Sequence, residues 1–337
     1  MGRPEGTLEK EPERDVFAYE AEPQLAYELV LADGARGRWR YWIDALKGSI
    51  LLRYNDLKRI DPPTEDGEPA AVTGNRLPRE GGEVVGVDGW LESTGHYYLY
   101  NTVQSWRVRN AAPLSSGYPD AETYAFRDTP DWGDSDPDEM SAAYNVNVVQ
   151  QYYQQVHGRS SYDGNGTVAD AYVHQLDRGR PMANAYWDGI AMHIGDGDGT
   201  TADSLAVLDI FAHEYTHAVT DHTCDLVYAN ESGALNESFS DIFGVCAEFY
   251  GQPDGRSSYP AALPGHADWL MGEDCWLSTP ALRDMRNPAN AATVGAGGRQ
   301  PTRYKGSFWY SGTGDNGGVH QNSGVQNFFF YLLCEGG

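Results

Sequence analysis

Two histidines four residues apart, with a glutamate directly after the first, form the segment His213-Glu214-Tyr215-Thr216-His217. On an α-helix, positions i and i+4 lie on the same face. Two imidazoles in this arrangement can hold one Zn²⁺, and the adjacent carboxylate can reach a metal-bound water. The spacing therefore predicts hydrolysis of a peptide bond by a zinc-activated water.

A third metal ligand is expected at Glu237, twenty residues beyond His217. A catalytic zinc takes three protein ligands and keeps one position open for solvent. Asp241 follows Glu237 by one helical turn, on the same face, where it can accept the free ring N–H of His213 and fix its tautomer. The simpler alternative is an amphipathic helix with two ordinary histidines, and Glu237 and Asp241 together argue against it.

Size and charge limit the classes of protein to which the chain can belong. Its 337 residues, 40% of them hydrophobic, leave room for about two domains with a real core. No run of 18 or more apolar residues occurs, so no membrane span is expected. The net charge of −25 argues against nucleic-acid binding, because phosphates would be repelled. Solubility together with bound Ca²⁺ is the preferred explanation of this acidity.

Cysteine usage leaves the redox environment open. The four cysteines allow three pairings if all are bridged, and none falls in a Cys-x-x-Cys metal spacing: Cys224, Cys246, Cys275 and Cys334. Disulfides fit an exported protein, and buried free thiols are an equal alternative. The N-terminal residues lack the apolar stretch of a signal peptide, so the protein either stays inside the cell or derives from a longer precursor.

Patterning along the chain predicts an α+β fold. Three β-rich runs at 25–31, 38–43 and 49–53 predict a small N-terminal sheet, and the Pro-rich stretch 61–69 predicts an exposed linker. Residues 70–222 are expected to form a strand-rich lobe that ends in a central metal-binding helix. Residues 223–337 are expected to form a helical lobe. The first 69 residues are treated as a separate domain and linker.

Helix signals place the chemistry-bearing residues on particular elements. A helix is predicted around 142–157, and residues 185–194 are predicted as two short strands or one bent strand. The metal helix is expected to run from an N-cap at Thr200 or Thr201 to about His222. A second helix, about 234–250, should carry Glu237 and end at Gly251, and a third should begin near residue 322.

Several segments, in the same order along the chain, resemble motifs of the thermolysin family of neutral metalloendopeptidases. They are Asn184-Ala-Tyr-Trp187, Gly195-Asp-Gly-Asp-Gly199, the segment from His213 to His217, Asn230-Glu-Ser-Gly-Ala-Leu-Asn-Glu237, Ser240-Asp-Ile-Phe-Gly244 and Asp315-Asn-Gly-Gly-Val-His-Gln-Asn-Ser-Gly324. This resemblance covers residues 70–337. A weaker likeness of residues 1–60 to that family's propeptide (PepSY-like) implies a folding aid and inhibitor, removed by autocleavage near residues 66–72.

The resemblance implies a role for each residue of the reaction centre. Zinc would be held by His213, His217 and Glu237. Glu214 would take a proton from the zinc-bound water and pass it to the leaving amine. Two hydrogen-bond donors, His320 and Tyr228, would stabilise the tetrahedral oxyanion, with Asp315 orienting His320.

Substrate contacts follow from the same resemblance. Asn184 and the backbone of Ala185 would pin the substrate main chain like an added strand. Arg283 would hold the substrate carbonyl after the cleaved bond. The pocket at that position would prefer a bulky apolar side chain, with Ile210 and Leu282 as candidate walls.

Calcium is the second implied cofactor. The family's paired calcium site corresponds here to four acids, because hard oxygen ligands in a cluster suit Ca²⁺: Asp209, Glu248, Asp268 and Glu273. The alternative is a set of solvated acids. A further calcium is considered at Asp131 and Asp134.

The sequence thus predicts a secreted, calcium-stabilised zinc endopeptidase made as a zymogen, a monomer that acts on polypeptides and binds neither nucleic acid nor membrane. The family continues through further C-terminal helices beyond Gly324, so the apolar run 328–333 is predicted to be exposed and prone to aggregation. Two alternatives remain open. One is a catalytically impaired fragment that binds zinc and calcium, and the other is an exopeptidase with a similar zinc motif.

Overall fold

The computed structural model describes residues 7–8, 13–17, 24–32, 38–46, 50–55, 66–111, 124–177, 179–258, 263–290 and 299–336. The chain divides into two compact units, Met1–Asp61 and Pro62–Gly337. Within the described residues, no helix is both long and apolar enough to cross a bilayer.

The first unit is a five-stranded antiparallel sheet. Its strands are β1 (Thr7–Leu8), β2 (Glu13–Phe17), β3 (Gln24–Ala32), β4 (Arg38–Asp44) and β5 (Ile50–Asn55). They are ordered β1-β3-β4-β5, and β2 also pairs with β3. The three strands predicted from β-rich runs are confirmed, and the two short N-terminal strands were not predicted.

The second unit begins with a strand-rich region. Its strands are β6 (Gly67–Asn75), β7 (Val84–Glu92), β8 (Tyr97–Tyr98), β9 (Tyr100–Asn101), β10 (Trp106–Asn110), β11 (Phe126–Arg127), β12 (Ala169–Asp177), β13 (Arg180–Pro181), β14 (Ala185–Trp187) and β15 (Ala191–Gly195). A four-stranded sheet has the order β11-β8-β7-β6, and a six-stranded mixed sheet has the order β14-β15-β12-β10-β9, with β13 paired to β12. The predicted linker ends early, because residues 67–69 already belong to β6.

Helices complete the α+β fold: one lies between β11 and β12, and the others follow β15. They are α1 (Pro137–His157), α2 (Leu208–Asp221), α3 (Asn230–Gly251), α4 (Asp315–Asn322) and α5 (Gly324–Glu335), with a small hairpin of β16 (Leu270–Met271) and β17 (Arg283–Asp284) between α3 and α4. Short 3₁₀ turns lie at Pro78–Glu80, Arg256–Ser258 and Pro288–Asn290. The core packs α1 and α2 on the six-stranded sheet through Trp106, Phe211 and Tyr215, all fully buried.

Three predicted helix starts are wrong. Helix α1 begins at Pro137, five residues before the expected start. Helix α2 begins at Leu208, and the backbone N–H groups of Thr200 and Thr201 instead donate to the carboxylate of Asp198, which closes a turn. Helix α3 begins at Asn230, four residues before the expected start, so the segment carrying Glu237 is longer than its apolar pattern indicated.

Helix α5 carries the apolar run whose exposure was predicted. Phe329 is 63% exposed and Leu333 69% exposed. The opposite side of the same helix is covered, because Phe330 and Tyr331 contact the ring of Trp269.

Candidate metal centre and active site

Two neighbouring helices bring the three predicted zinc ligands together. His213 and His217 lie one turn apart on α2, and Glu237 lies on α3, which packs against α2. His213 Nε2 lies 3.0 Å from His217 Nε2 and 3.6 Å from Glu237 Oε2. His217 Nε2 lies 3.3 Å from Glu237 Oε1. The i, i+4 spacing on a buried helix therefore places both imidazoles beside the Glu237 carboxylate.

These separations match the distances between ligand atoms around a tetrahedral zinc ion. Ligand atoms about 2.0–2.1 Å from a common tetrahedral centre lie roughly 3.3 Å from one another. The three observed separations range from 3.0 to 3.6 Å. All three side chains are buried or nearly so, and Glu237 is fully buried. The donor set of two imidazoles and one carboxylate fits a catalytic zinc site with one position left for solvent.

The second ring nitrogen of each histidine also lies close to a side-chain oxygen. His213 Nδ1 lies 2.9 Å from Asp241 Oδ1, as predicted from the position of Asp241 on the same face of α3. His217 Nδ1 lies 2.8 Å from Asn236 Oδ1. Such partners fix the ring tautomer that leaves Nε2 free for a metal. Asn236 was missed by the sequence analysis, although its place directly before Glu237 was a usable signal.

The site concentrates negative charge where a cation would lie. Burial raises the pKa of Glu237, but the surrounding imidazoles, that of His320 first, outweigh burial and hold its pKa well below the usual range. Burial lowers the pKa of His217, yet hydrogen bonding and charge from Glu237 raise it to about 9. Glu237 therefore stays ionised and draws positive charge to the Nε2 atoms beside it.

Glu214 follows His213 on α2 and is 6% exposed. The next residue, Tyr215, is fully buried in the core and anchors this turn of the helix. The glutamate is thereby held on a packed helix, and its charge contributes to the raised pKa of His217.

The two predicted oxyanion donors, Tyr228 and His320, also lie beside the Glu237 carboxylate. The Tyr228 hydroxyl donates to Glu237 Oε1 and lies 3.2 Å from His320 Nε2. Asp315 Oδ1 is 2.6 Å from His320 Nδ1, and Asp315 Oδ2 accepts the His320 backbone N–H at 3.0 Å. Asp315 thus holds the ring with Nε2 directed at the site, and the predicted Asp315–His320 pair is present.

Helix α4 gives His320 its position. The backbone at Asn316, Gly317 and Gly318 has φ of 48°, 88° and 84°, in the left-handed region that favours glycine. A Cβ on Gly317 would lie 2.3 Å from Asn230 Oδ1, so this turn approaches the start of α3 closely. His320 lies in this short helix, directly after the turn.

The predicted substrate-binding residues lie around the same centre. Asn184 directly precedes β14, an edge strand of the six-stranded sheet, and its carbonyl accepts the N–H of Gly195. Arg283, on β17, is buried and donates to Asp241 Oδ1 at 2.7 Å and to Glu237 Oε2 at 3.2 Å. The edge strand leaves Ala185 beside an open edge at which a further strand can pair.

A second group of acidic side chains includes Asp209, which lies on α2 one turn before His213. Carboxylate oxygens of Asp209, Glu248 and Glu273 all lie within 4.8 Å of one another, and all three residues are buried. Both carboxylate oxygens of Glu273 and Oε2 of Glu248 have no hydrogen-bond partner among the described residues. Burial and mutual repulsion raise the pKa of Glu248 and Glu273 well above the usual range, and that of Asp209 to about 6. Buried carboxylates without donors fit a hard cation such as Ca²⁺.

Other predicted calcium ligands are less closely grouped. Asp268 is buried near this cluster but does not belong to the group of three. Asp274, which the sequence analysis did not select, is also buried, and burial together with the charge of Glu80 raises its pKa to about 8. Among the described residues, Asp131 and Asp134 join no such group, and they accept hydrogen bonds from Gly133 N and Asn75 Nδ2.

Comparisons with known proteins agree with this geometry. A family model described as "Thermolysin metallopeptidase, catalytic domain" matches residues 82–221, and one described as "Thermolysin metallopeptidase, alpha-helical domain" matches residues 224–337. A bacillolysin of Bacillus caldolyticus is 36% identical over 333 residues, which is 96% of this chain and 56% of that protein. A thermolysin of Alicyclobacillus acidocaldarius subsp. acidocaldarius is 36% identical over 341 residues, 98% of this chain and 57% of that protein.

A solved structure, the precursor of protealysin, a metalloproteinase from Serratia proteamaculans, covers 68% of each chain with a TM-score of 0.54 and 28% identity. The present chain spans little more than half the length of the curated relatives that it matches. Both matched models lie in the second unit and together include every predicted zinc ligand. The chain belongs to the thermolysin family of metallopeptidases.

Proposed function

We propose that the chain is a zinc-dependent neutral endopeptidase that cleaves polypeptides on the N-terminal side of bulky apolar residues. The observation that carries the proposal is the convergence of the ligand atoms of His213, His217 and Glu237 at 3.0–3.6 Å, with Glu214 next to His213 on the same buried helix. Family membership supports the same reaction class.

Peptide hydrolysis at neutral pH needs a nucleophile, a proton carrier and stabilisation of the oxyanion. A zinc ion, when bound by the three ligands, supplies Lewis acidity and lowers the pKa of a water to about 7. Glu214 is the proposed general base, which takes the proton of the attacking water and later gives it to the leaving amine. Proton transfer of this kind contributes roughly 10²–10⁴ in rate.

The negative charge that develops on the carbonyl oxygen needs donors in place. Tyr228 and His320 are proposed for this role, because the Tyr228 hydroxyl and His320 Nε2 lie 3.2 Å apart and both adjoin Glu237 Oε1. Asp315 keeps His320 oriented as a donor from Nε2. Donors positioned in advance stabilise the transition state because they need no reorganisation during the reaction.

Substrate binding is proposed along the open edge of β14, where Asn184 and the backbone of Ala185 would bind an extended peptide as an additional strand. Arg283 is proposed to hold the carbonyl that follows the cleaved bond. Ile210 and Leu282 both lie against Gly272: a Cβ there would be 3.5 Å from Ile210 Cδ1 and 3.1 Å from Leu282 Cβ. These apolar walls support a preference for a bulky apolar side chain.

We further propose that a cluster of buried acids binds calcium, namely Asp209, Glu248, Glu273 and Asp268. Residues 1–69 are proposed to be a propeptide remnant and linker. The protein is proposed to be secreted and to act as a monomer. The curated matches cover 96% and 98% of the chain, so they include most of those first 69 residues. The proposed autocleavage region, 66–72, overlaps the start of β6, where Glu68 and Pro69 are exposed.

The test combines zinc content with cleavage of an internally quenched peptide that has blocked ends. The wild-type chain should bind one zinc and cleave on the N-terminal side of Leu or Phe. Glu214→Gln should retain the zinc and lose about 10²–10⁴ in kcat. Glu231→Gln, the same change at an exposed site on α3, serves as the control and should keep full activity.

The alternatives give different results in the same assay. A catalytically impaired fragment would bind zinc and cleave nothing. An exopeptidase would cleave only peptides with a free terminus. Equal activity of Glu214→Gln and the wild-type chain would refute the mechanism.

A further inference from the structure

Helix α5 places one polar side chain in the interface with α3. Asn327 is fully buried, whereas Phe329 and Leu333 of the same helix are exposed. A buried amide without partners is costly, so its contacts are informative. Asn327 Oδ1 accepts the hydroxyl of Ser238 at 2.7 Å, and Asn327 Nδ2 donates to Asp241 Oδ2 at 2.7 Å.

The orientation of this amide follows from its partners. Asp241 as a carboxylate can only accept, so the nitrogen of Asn327 must face it. The Ser238 hydroxyl then donates to the amide oxygen. Ser238 and Asp241 lie one turn apart on α3, and both are fully buried, so the two bonds form a bidentate contact between α5 and one face of α3.

Asp241 uses its other oxygen at the metal centre. Oδ1 lies 2.9 Å from His213 Nδ1 and accepts Arg283 Nη1 at 2.7 Å. A carboxylate held through Oδ1 alone could rotate about its Cβ–Cγ bond. Asn327, bound to Oδ2, opposes that rotation and so fixes the direction in which His213 is held.

We propose that Asn327 is a positioning residue of the metal centre, which acts through Asp241 to hold His213 Nε2 toward the metal. This inference rests on the proposed zinc site. An aspartate at position 327 would not serve, because a second carboxylate would repel Asp241 in a buried site. Asparagine supplies the donor without a charge.

The decisive variant is Asn327→Leu, which keeps the branched shape and the number of side-chain heavy atoms and removes both hydrogen bonds. Gln326→Leu is the matched control, because it adds the same side chain to the neighbouring, half-buried position of α5. Three quantities are measured for each folded protein: the rate of zinc release to a chelator, the visible absorption of the Co²⁺-substituted form, and kcat and KM separately.

Asn327→Leu should release zinc about 10–100-fold faster than the wild-type chain, since loss of a partner behind a metal ligand costs about that much affinity. The Co²⁺ absorption band should change, and kcat should fall about tenfold with KM within about twofold, because Asn327 lies away from the substrate edge. Gln326→Leu should match the wild-type chain in all three.

The inference is overturned if Asn327→Leu loses thermal stability alone, with zinc release and the Co²⁺ spectrum equal to those of Gln326→Leu. If Asn327→Leu does not fold, Ser238→Ala decides the matter, because it frees the amide while leaving Asn327 in place. It should speed zinc release about threefold, and an unchanged rate overturns the inference. A wild-type chain that takes up no zinc would overturn the proposed function itself, and this inference with it.

Discussion

At the scale of single residues, Tyr228 connects the two halves of the site. Its hydroxyl donates to Glu237 Oε1, adjoins His320 Nε2, and belongs to a side chain that is 38% exposed overall. Its ring also meets the rings of His217 and His320 edge-on. Such a residue can leave Glu237 and turn its hydroxyl to a substrate oxygen without a change in the backbone.

Tyr228→Phe should therefore lower kcat and leave KM nearly unchanged. Removing one oxyanion donor is expected to lower kcat about 10²-fold or somewhat more, with KM nearly unchanged, because the ring remains and only the hydroxyl is lost. Steady-state kinetics with the quenched peptide measure both constants. Tyr250→Phe, also a partly exposed tyrosine, is the control. A Tyr228→Phe variant with wild-type kcat would remove Tyr228 from the mechanism.

Contacts of single residues could be predicted from the sequence where helical spacing places one residue beside another residue of the site. Asp241 could be assigned to His213 because one helical turn separates it from Glu237 on the same face. Asn327 could not, since its contact with Asp241 spans 86 residues and depends on how α5 packs on α3. Asn236 lay within reach of the same local reasoning and was overlooked because an amide is not among the usual zinc ligands.

At the scale of elements, the start of α2 is capped by a residue that is distant in the sequence. The N-cap residue Val207 has no side-chain capping bond, and the N–H of Leu208 donates instead to Glu80 Oε1 at 2.8 Å. Glu80 is 1% exposed and also pairs with Arg76 at 2.8 Å. The helix start was mispredicted because a cap 128 residues away leaves no local signal, whereas Thr200 and Thr201 resemble caps.

Glu80→Ala should destabilise the second unit by about 3 kcal/mol, because it removes the cap of α2 and leaves the buried guanidinium of Arg76 with less compensation. Glu83→Ala is a matched control, since Glu83 pairs with the same Arg76 at 2.9 Å but its side chain is 50% exposed. That variant should cost at most about 1 kcal/mol. Urea unfolding at neutral pH measures both, and equal losses would contradict the capping role.

A histidine joins α1 to the six-stranded sheet. His174, on β12, lies 3.0 Å from Asp136, which caps the N-terminus of α1, and 2.9 Å from Asp196 after β15. Burial lowers the pKa of His174, but its hydrogen bonds to the two carboxylates outweigh burial and raise the pKa to about 11. Asp138 and Glu139 add further negative charge around the ring. The imidazolium therefore holds together elements that carry several like charges.

Stability should depend on pH through this group. The folded pKa of His174 is above the unfolded value of 6.5, so its contribution is complete below about pH 6.5 and declines as the pH rises toward 11. The free energy of unfolding lost in His174→Gln should be largest near pH 6 and should shrink by about 1 kcal/mol per pH unit above pH 7. Urea unfolding of both proteins between pH 6 and 9.5 measures this, and a difference independent of pH would count against it.

At the scale of the whole molecule, the excess of acidic residues extends into the interior. The net charge is −25, and Asp209, Glu248 and Glu273 are buried together behind α2. Asp209 lies one turn before His213 on the same helix, and Glu248 lies on the helix of Glu237. A cation among these acids would therefore stabilise the two helices that carry the zinc ligands.

Calcium removal should accordingly destabilise the protein while zinc remains bound. A ligand present at 100–1,000 times its Kd adds about 3–4 kcal/mol to stability, which for a unit of this size raises the melting temperature by roughly 5–7 °C. Thermal unfolding in calcium-free buffer with zinc present, followed by titration with CaCl₂, measures the shift.

Glu248→Gln should melt at a temperature that hardly depends on calcium, because it removes one of the three charges that attract the ion. Glu231→Gln, on the same helix but exposed, should keep the full calcium response. Zinc affinity should fall along with stability in the calcium-free protein, since α2 and α3 carry both sites and their packing is shared. Identical melting curves of the wild-type chain with and without calcium would mean that the buried acids are neutralised by protons instead, in agreement with the raised pKa values of Glu248 and Glu273.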